Sequence, residues 1–530
     1  MERLVPEVQD VGIKTLFCGP ESFTPDNAPA VGPVPSLKNY YVAAGLNSIG
    51  ILTGGGIGKT LAQWIHNDGV APSDIDVTGI HANRFHKYQC NPSYREKRVS
   101  EALGNTYRLL YPDHQPKTCR GARKSVLHDR LLNDQNAYFR DVSGWESPSW
   151  YAPTPEDAII KQETFGRPHW FPYWEAEHQA CRENVALFEM SFMSKFLVQG
   201  YDAGAFLNWL STANVDGPTN QITYTQWLNE HGYLEADLTV TKLSETEFLV
   251  IATDTMHNHV MQHMNSRIAR DRHHVTVTDV TSRYAQINIQ GPKWRELLQK
   301  LTSRDLYNDF DFRHAEDIDI GGLGRALCVR ITYVGELGYE LFIPSDQAVM
   351  VYDQIVEAGK EFGLTHAGLK ALGSLRLEKG YKDYGHDIDN TDTILEAGLS
   401  FTIDWEKENA FIGQEHVQAQ KEHFKSIGGR PKRMANVLVP LSESDPLLYH
   451  GEVLWRNGER ISDIRAGSYG HTVGGGVGLT MLQSPDNSPI TKSWIEDATW
   501  ELQVADQFHP CEVSLSPFYD PKNKKVKPEQ

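Results

Sequence analysis

The sequence predicts an α+β fold, and three observations carry that prediction. Apolar and polar residues alternate in Phe196-Leu197-Val198-Gln199-Gly200, and the segments 248–252 and 285–292 read as further half-buried strands. Amphipathic helical patterns lie between such strands, as at 350–362. From about Arg433 onward the helical period gives way to short strands, with Asn457-Gly458 marking a hairpin turn.

The chain has 530 residues, room for about three or four domains. A net charge of −18 argues against nonspecific nucleic-acid binding, which needs clustered cations to displace counterions. No apolar run is long enough for a membrane span. Six cysteines stand far apart with no Cys-x-x-Cys, so neither a zinc site nor a disulfide framework is expected, and a reducing compartment fits.

The first element is a strand at 39–44, followed by Gly45-Leu46-Asn47-Ser48, a glycine loop Gly54-Gly55-Gly56-Ile57-Gly58, and a helix over 59–66. Strand, glycine loop and helix start together aim backbone N–H groups and a positive helix end at an electron-rich ligand. Gly58-Lys59-Thr60 imitates a nucleotide-binding P-loop, but Thr53 stands where that motif needs glycine. From about 80 to 138 the chain turns basic and aromatic, reading as a solvated bridging segment; its histidines lack metal-site spacing, and no metal is expected. Trp170, Phe171 and Trp174 read as core, and a helical pattern runs from Glu175 through Val185.

Three spaced segments follow: 229–240, containing Ala236-Asp237-Leu238-Thr239-Val240; 333–340, Tyr333-Val334-Gly335-Glu336-Leu337-Gly338-Tyr339-Glu340; and 374–381, containing Arg376 and Glu378. A carboxylate at Asp237, on the edge of an apolar strand, must be hydrogen-bonded, paired or protonated; it reads either as a strand-end aspartate or as a catalytic group. Glu336, between two glycines, reads as a turn residue. Arg376 and Glu378 read as an intrahelical or capping ion pair.

In order and spacing, these three segments resemble the folate-binding aminomethyltransferase fold of the glycine cleavage system. The stretch from Gly19 to His66 looks like the C-terminal end of the flavin domain in the dimethylglycine and sarcosine dehydrogenase family. The resemblance implies a remnant of an FAD-dependent oxidoreductase domain at 1–80, a connecting domain at 81–142, a folate domain at 143–430, a C-terminal β-barrel at 431–522 and a disordered lysine-rich tail at 523–530. It implies Asp237 as the catalytic carboxylate beside the reactive folate nitrogen, with Tyr333 and Glu340 binding the pterin. Gly45, Asn47, Ser48, Gly54, Gly55 and Gly56 would approach the flavin.

Family enzymes open with Gly-x-Gly-x-x-Gly, and no copy precedes the glycine loop here. FAD is therefore expected only if the missing N-terminal part is supplied, while tetrahydrofolate is expected on this chain. Leu372 stands where aminomethyltransferases carry an arginine for the folate tail. The implied activity is oxidation of an N-methylglycine, dimethylglycine or sarcosine, in the mitochondrial matrix. The methyl carbon would be captured as 5,10-methylenetetrahydrofolate, with an electron-transfer flavoprotein as acceptor. Two alternatives share the architecture: the non-catalytic pyruvate dehydrogenase phosphatase regulatory subunit, and a stand-alone aminomethyltransferase working with a lipoyl carrier protein.

Overall fold

A computed structural model describes residues 4–271 and 273–527, the side chains of 270 and 271 aside. The N-terminal part pairs β1 (Ala30–Pro33) with β2 (Tyr41–Ala44) and continues into helix α1 (Gly50–His66). Helices α2 (Pro92–Asn105) and α3 (His128–Gln135) lead to the hairpin β3 (Ala137–Val142) and β4 (Trp145–Tyr151). The connecting stretch carries buried residues of its own, including Tyr94, Ala102, Leu127 and Leu131. It is less solvated than its composition suggests.

Helix α4 (Phe171–Glu183) begins four residues earlier than the apolar pattern predicts, because Pro172 suits a first helical turn. It ends before Val185, which opens β5 (Val185–Glu189); β6 (Ser194–Gln199) follows after a short crossover. Next come α5 (Ala203–Leu210), β7 (Ile222–Leu228), β8 (Leu234–Ser244), β9 (Glu247–Ala252), α6 (His257–Asp271) and β10 (Thr276–Asp279). After them run β11 (Tyr284–Gln290), α7 (Trp294–Leu301), β12 (Ala315–Ile320), β13 (Gly324–Val329) and β14 (Gly338–Pro344). Helix α8 (Ala348–Gly359), β15 (Leu364–His366), α9 (Leu369–Glu378) and α10 (Gln414–Ser426) complete this part.

These strands form two sheets, one ordered β10-β6-β9-β8-β7 and the other β12-β13-β14-β11-β5-β15. The crossover at 190–193 carries the chain from one to the other. Strand alternation decides what fills each layer. Leu197, Leu249 and Ile251 of the first sheet pack against Val329 and Phe342 of the second. The opposite faces pack outward: Phe196, Leu238, Val240 and Val250 against α5 and α6, and Ile287, Ile289, Leu341 and Ile343 against α7 and α8. Burying each of these side chains stabilises the fold by about 1.5–3 kcal/mol.

The C-terminal part is a seven-stranded, barrel-like sheet. Its strands are β16 (Lys432–Val439), β17 (Val453–Arg456), β18 (Glu459–Gly470), β19 (Gly475–Gln483), β20 (Trp500–Val504), β21 (Gln507–Pro510) and β22 (Glu512–Ser514). Asn457 and Gly458, with φ of 52° and 80°, turn β17 into β18 as their dipeptide predicts. The chain is thus an α+β protein with an aminomethyltransferase-like body and a C-terminal barrel-like sheet.

Two expectations from sequence are corrected and one is refined. The glycine run at 54–58 is not a loop. It lies inside α1, where Thr60 caps back onto the Gly56 carbonyl at 2.9 Å and buried Trp64 anchors the helix against Gly32. Tertiary anchoring here overrides the poor helix propensity of glycine. Glu336 lies in the turn expected of it, but its side chain is buried, 3.0 Å from Arg182 and 2.6 Å from the Tyr519 hydroxyl. The lysine-rich tail is ordered through 527. Lys379 Nζ donates to the Asp520 carbonyl (2.7 Å) and to Asn523 (2.8 Å), and Val526 is buried. Residues 528–530 of that tail lie outside the described residues.

Phe342 occupies the layer between the two sheets, so Phe342→Ala is expected to lower the unfolding free energy by about 3–5 kcal/mol. Denaturant unfolding measures this, and an unchanged midpoint would contradict the packing described.

Candidate active site

Asp237 sits on β8 directly opposite Gln226 of β7. The Gln226 amide donates to Asp237 Oδ1 at 2.7 Å, and Gln226 is itself fixed by the Thr402 hydroxyl. Tyr224, one cross-strand row away, lies near enough to favour the ionised carboxyl. Burial pushes Asp237 up to about 7; Gln226 and Tyr224 pull the other way, nearby Asp383 adds to the rise and Lys382 opposes it. A carboxyl poised there exchanges a proton near neutral pH.

Glu340 sits on β14 opposite Asn288 of β11. Asn288 Nδ2 donates to Oε1 at 2.9 Å, and Gln286 Nε2 approaches Oε2 at 3.4 Å. Burial pushes Glu340 up to about 7, against the pull of the Lys195 ammonium. Tyr333 lies between β13 and β14. Its hydroxyl donates to the Lys382 carbonyl at 2.9 Å, and burial pushes it well above the usual phenol range.

Strand register places these groups relative to one another. Tyr224, Thr239, Ile251 and Lys195 form one cross-strand row, with Asp237 and Gln226 in the next inward-facing row. Val329, Glu340, Asn288 and Phe188 form a row of the facing sheet, and Phe342 lies two residues along β14 from Glu340. Directly opposed residues share a face. Asp237 and Glu340 therefore both belong to the layer between the sheets, beyond the edge of its apolar part. Each of Asp237, Tyr333 and Glu340 keeps partial exposure, so the layer is open at this edge.

Asp237 and Tyr333 come together around the 382–383 segment: Tyr333 bonds the Lys382 carbonyl, and the charges of Asp383 and Asp237 help keep its phenol protonated. Among the described residues, no direct hydrogen bond joins Glu340 to either. Arg376 organises the segment: its Nη1 donates to both Asp387 carboxylate oxygens at 3.0 Å and to the Tyr381 carbonyl at 2.9 Å. Arg376 and Glu378 thus do not pair with each other. Glu378 turns instead to Arg182 at 2.7 Å and to His178 at 3.3 Å. Leu372 is buried in an apolar cluster with Trp170 and Leu375.

The six residues proposed for flavin contact divide. Asn47 is buried, accepting from the Thr24 amide at 2.9 Å and donating to the Gly45 carbonyl at 2.6 Å, and Ser48 bonds Glu21. These bonds fasten the turn into α1. Gly54, Gly55 and Gly56 face open space, next to fully exposed Ile51 and largely exposed Leu52. A separate cavity of about 60 Å³ lies between α1 and the two-sheet body, lined by residues including Trp64, His81, Glu235, His259, Tyr384 and Asn390.

Sequence reasoning missed Lys195, Gln226, Asn288 and Gln286. A signal for three of them was present. Gln286 and Asn288 alternate with apolar residues along β11, and Lys195 is two residues from core Leu197, so each falls on a strand face that packs inward.

Residues 127–407 match the GCVT N-terminal domain, 72–125 the FAD dependent oxidoreductase central domain, and 432–520 the glycine cleavage T-protein C-terminal barrel domain. The chain belongs to the glycine cleavage T-protein family. Its three domains follow the arrangement of sarcosine and dimethylglycine dehydrogenases. It is 36% identical over 527 residues to a 4-methylaminobutanoate oxidase (formaldehyde-forming) of Paenarthrobacter nicotinovorans, covering 99% of this chain and 61% of that protein. It is 30% identical over 562 residues to mitochondrial sarcosine dehydrogenase of Mus musculus, covering 99% and 60%. The chain thus spans about three fifths of the length of these relatives. An aminomethyltransferase T structure from Bartonella henselae shares the fold, with TM-score 0.62, 21% identity, and 76% and 99% of the two chains covered.

Because Asp237 is raised in the folded state from an ordinary 3.8 to about 7, its contribution to stability is full below 3.8 and lost as pH rises through 7. Asp237→Asn is expected to be more stable than the parent at pH 8, by on the order of 1–3 kcal/mol, with the gain vanishing near pH 4. Thermal melts across that range measure it, and a gain independent of pH would contradict the assignment.

Proposed function

We propose that the two-sheet body binds tetrahydrofolate and passes it the one-carbon unit released by oxidation of an N-methylated amino acid, giving 5,10-methylenetetrahydrofolate. The observation that carries this reading is the pair of carboxyl groups, Asp237 and Glu340, on facing sheets at the open edge of one layer. Supporting it are the family membership and the oxidoreductase relatives.

The residues fit a reduced pterin. Glu340, with its two amide neighbours, presents a directed acceptor for the pterin amino group and ring N–H. Tyr333 offers a ring and a hydroxyl at the same open edge. Bound tetrahydrofolate supplies the nucleophilic nitrogens that receive the carbon. Asp237 then has two tasks: to take up the proton lost from that nitrogen, and to stabilise positive charge near it. Gln226 holds the carboxyl in place for both. Partial closure of the layer limits water around the reacting carbon.

For the oxidation, we propose that the bare face of α1 is where an FAD-bearing portion of a relative-length chain packs. Gly54, Gly55 and Gly56 leave backbone exposed to a close neighbour, and Ile51 and Leu52 supply apolar surface. The helix start favours negative charge on a bound flavin. FAD, when present, supplies hydride acceptance; the described residues form only one wall for it. N-methylglycines, dimethylglycine or sarcosine, are the proposed substrate class, following the relatives.

The test is a titration of tetrahydrofolate into the parent chain and Glu340→Ala. Loss of charge-assisted hydrogen bonds is expected to weaken binding by about 10- to 100-fold. Equal affinity of the two proteins, or no binding by the parent, would contradict the reading; the second result would favour a non-catalytic, partner-binding role.

A further inference from the structure

The side chain of Lys379 is fully buried, and among the described residues its ammonium finds hydrogen-bond acceptors in one place, the lysine-rich tail. Nζ donates to the Asp520 carbonyl at 2.7 Å, to Asn523 Oδ1 at 2.8 Å and to Asp520 Oδ2 at 3.3 Å. A buried ammonium is costly unless its N–H groups and its charge are both answered. The tail folds so as to answer them. The Asp520 carboxylate accepts the amides of Lys524 at 2.9 Å and Lys525 at 3.1 Å, closing a turn that brings Asn523 round to the lysine.

The two segments that frame Tyr333 lean on this contact. The stem of Lys379 lies against the 333–337 turn, where a Cβ added to Gly335 would come within 2.3 Å of Lys379 Cγ. Beyond Lys379 in the chain, the Tyr381 ring stacks on Tyr333, with centroids 6.2 Å apart and planes 19° apart. The next residue, Lys382, offers the carbonyl that accepts the Tyr333 hydroxyl at 2.9 Å. The tail also reaches the turn directly, through the Tyr519 hydroxyl, which donates to Glu336 at 2.6 Å. Glu336 has Arg182 besides; for hydrogen bonds the Lys379 ammonium, among the described residues, has the tail alone.

We propose that the tail is a strap that positions Tyr333 for folate: residues 519–523 hold Lys379 against the 333–337 turn, and the turn and the 379–383 segment together fix the tyrosine at the open edge of the site. Lys379, Asp520 and Asn523 are thus positioning residues that act through Tyr333. This rests on the reading that Tyr333 lines the folate site. With the side-chain acceptors of Asp520 and Asn523 removed, the ammonium keeps one carbonyl on a loosened turn. It then swings out toward water, and the turn and the 379–383 segment lose the stem packed between them. By linkage, a strap that favours folate binding is itself favoured by folate, to the same factor.

The test titrates 5-formyltetrahydrofolate, a stable reduced folate, into the full chain in four forms. These are the parent, a tail variant carrying Asp520→Ala and Asn523→Ala, Lys379→Met, and the combination of all three substitutions. The tail variant is expected to lose about tenfold in affinity. Methionine keeps an apolar stem and needs no acceptor, so adding Lys379→Met to the tail variant is expected to restore most of that loss. In the Lys379→Met background the tail substitutions should cost nothing further. Parental affinity in the tail variant, or a loss that Lys379→Met does not reduce, would overturn the strap and leave folate binding standing. No binding by the parent would overturn both. Should the tail variant fail to fold, amide hydrogen exchange of the parent decides. Folate must slow exchange at Lys524 and Lys525 together with 379–383; protection that stops short of the tail overturns the proposal.

Discussion

The two central sheets meet across one thin apolar layer, and that contact sets the position of every group in the candidate site. Leu197, Leu249 and Ile251 on one side, with Val329 and Phe342 on the other, fix how the sheets lie face to face. Side chains on a strand alternate between faces, so a residue two positions from a seam residue must point into the same layer. Lys195 follows from Leu197, and Glu340 from Phe342. Thr239 lies opposite Ile251, and Asp237 lies two positions from Thr239. The site is the continuation of the core past the point where apolar residues stop.

The same placement produces the chemistry. A layer dry enough to hold the sheets together is poor in water at its edge, so carboxyl groups there resist ionisation. Burial raises both Asp237 and Glu340 toward neutrality. The protein offsets this differently for each. Asp237 receives the neutral amide of Gln226 and stays close to a proton-exchange point. Glu340 receives the side-chain amides of Asn288 and Gln286. On the proposed reading, Asp237 moves a proton and Glu340 binds the pterin. Around them, Arg376 clamps the 381–387 segment. Arg182 ties α4 to Glu336 and Glu378, next to the C-terminal sheet.

Much of this was legible in the chain, for reasons that local pattern can supply. Period-two alternation located the strands around 196–200, 248–252 and 285–290, and the Asn457-Gly458 pair located its hairpin. Asp237, Tyr333 and Glu340 were visible as a spaced set, though nothing local said that two separate sheets would bring them to one layer. What local pattern missed depends on contacts distant in sequence. Glu336 sits in a glycine turn, and nothing local shows that Arg182, 154 residues away, closes on it. The lysine-rich tail looks disordered until Lys379 reaches Asp520 and Asn523. Glycines 54, 55, 56 and 58 look like a loop because their propensity is poor, and Trp64 supplies the anchoring that outweighs it.

The most direct test is a crystal structure of the chain with a reduced folate bound. The account predicts the pterin lodged between β8 and β14, its amino group within hydrogen-bond distance of Glu340 and its reactive nitrogens turned toward Asp237. Density for the pterin elsewhere, for instance in the cavity beside Trp64 and His259, with Asp237 and Glu340 untouched, would contradict it.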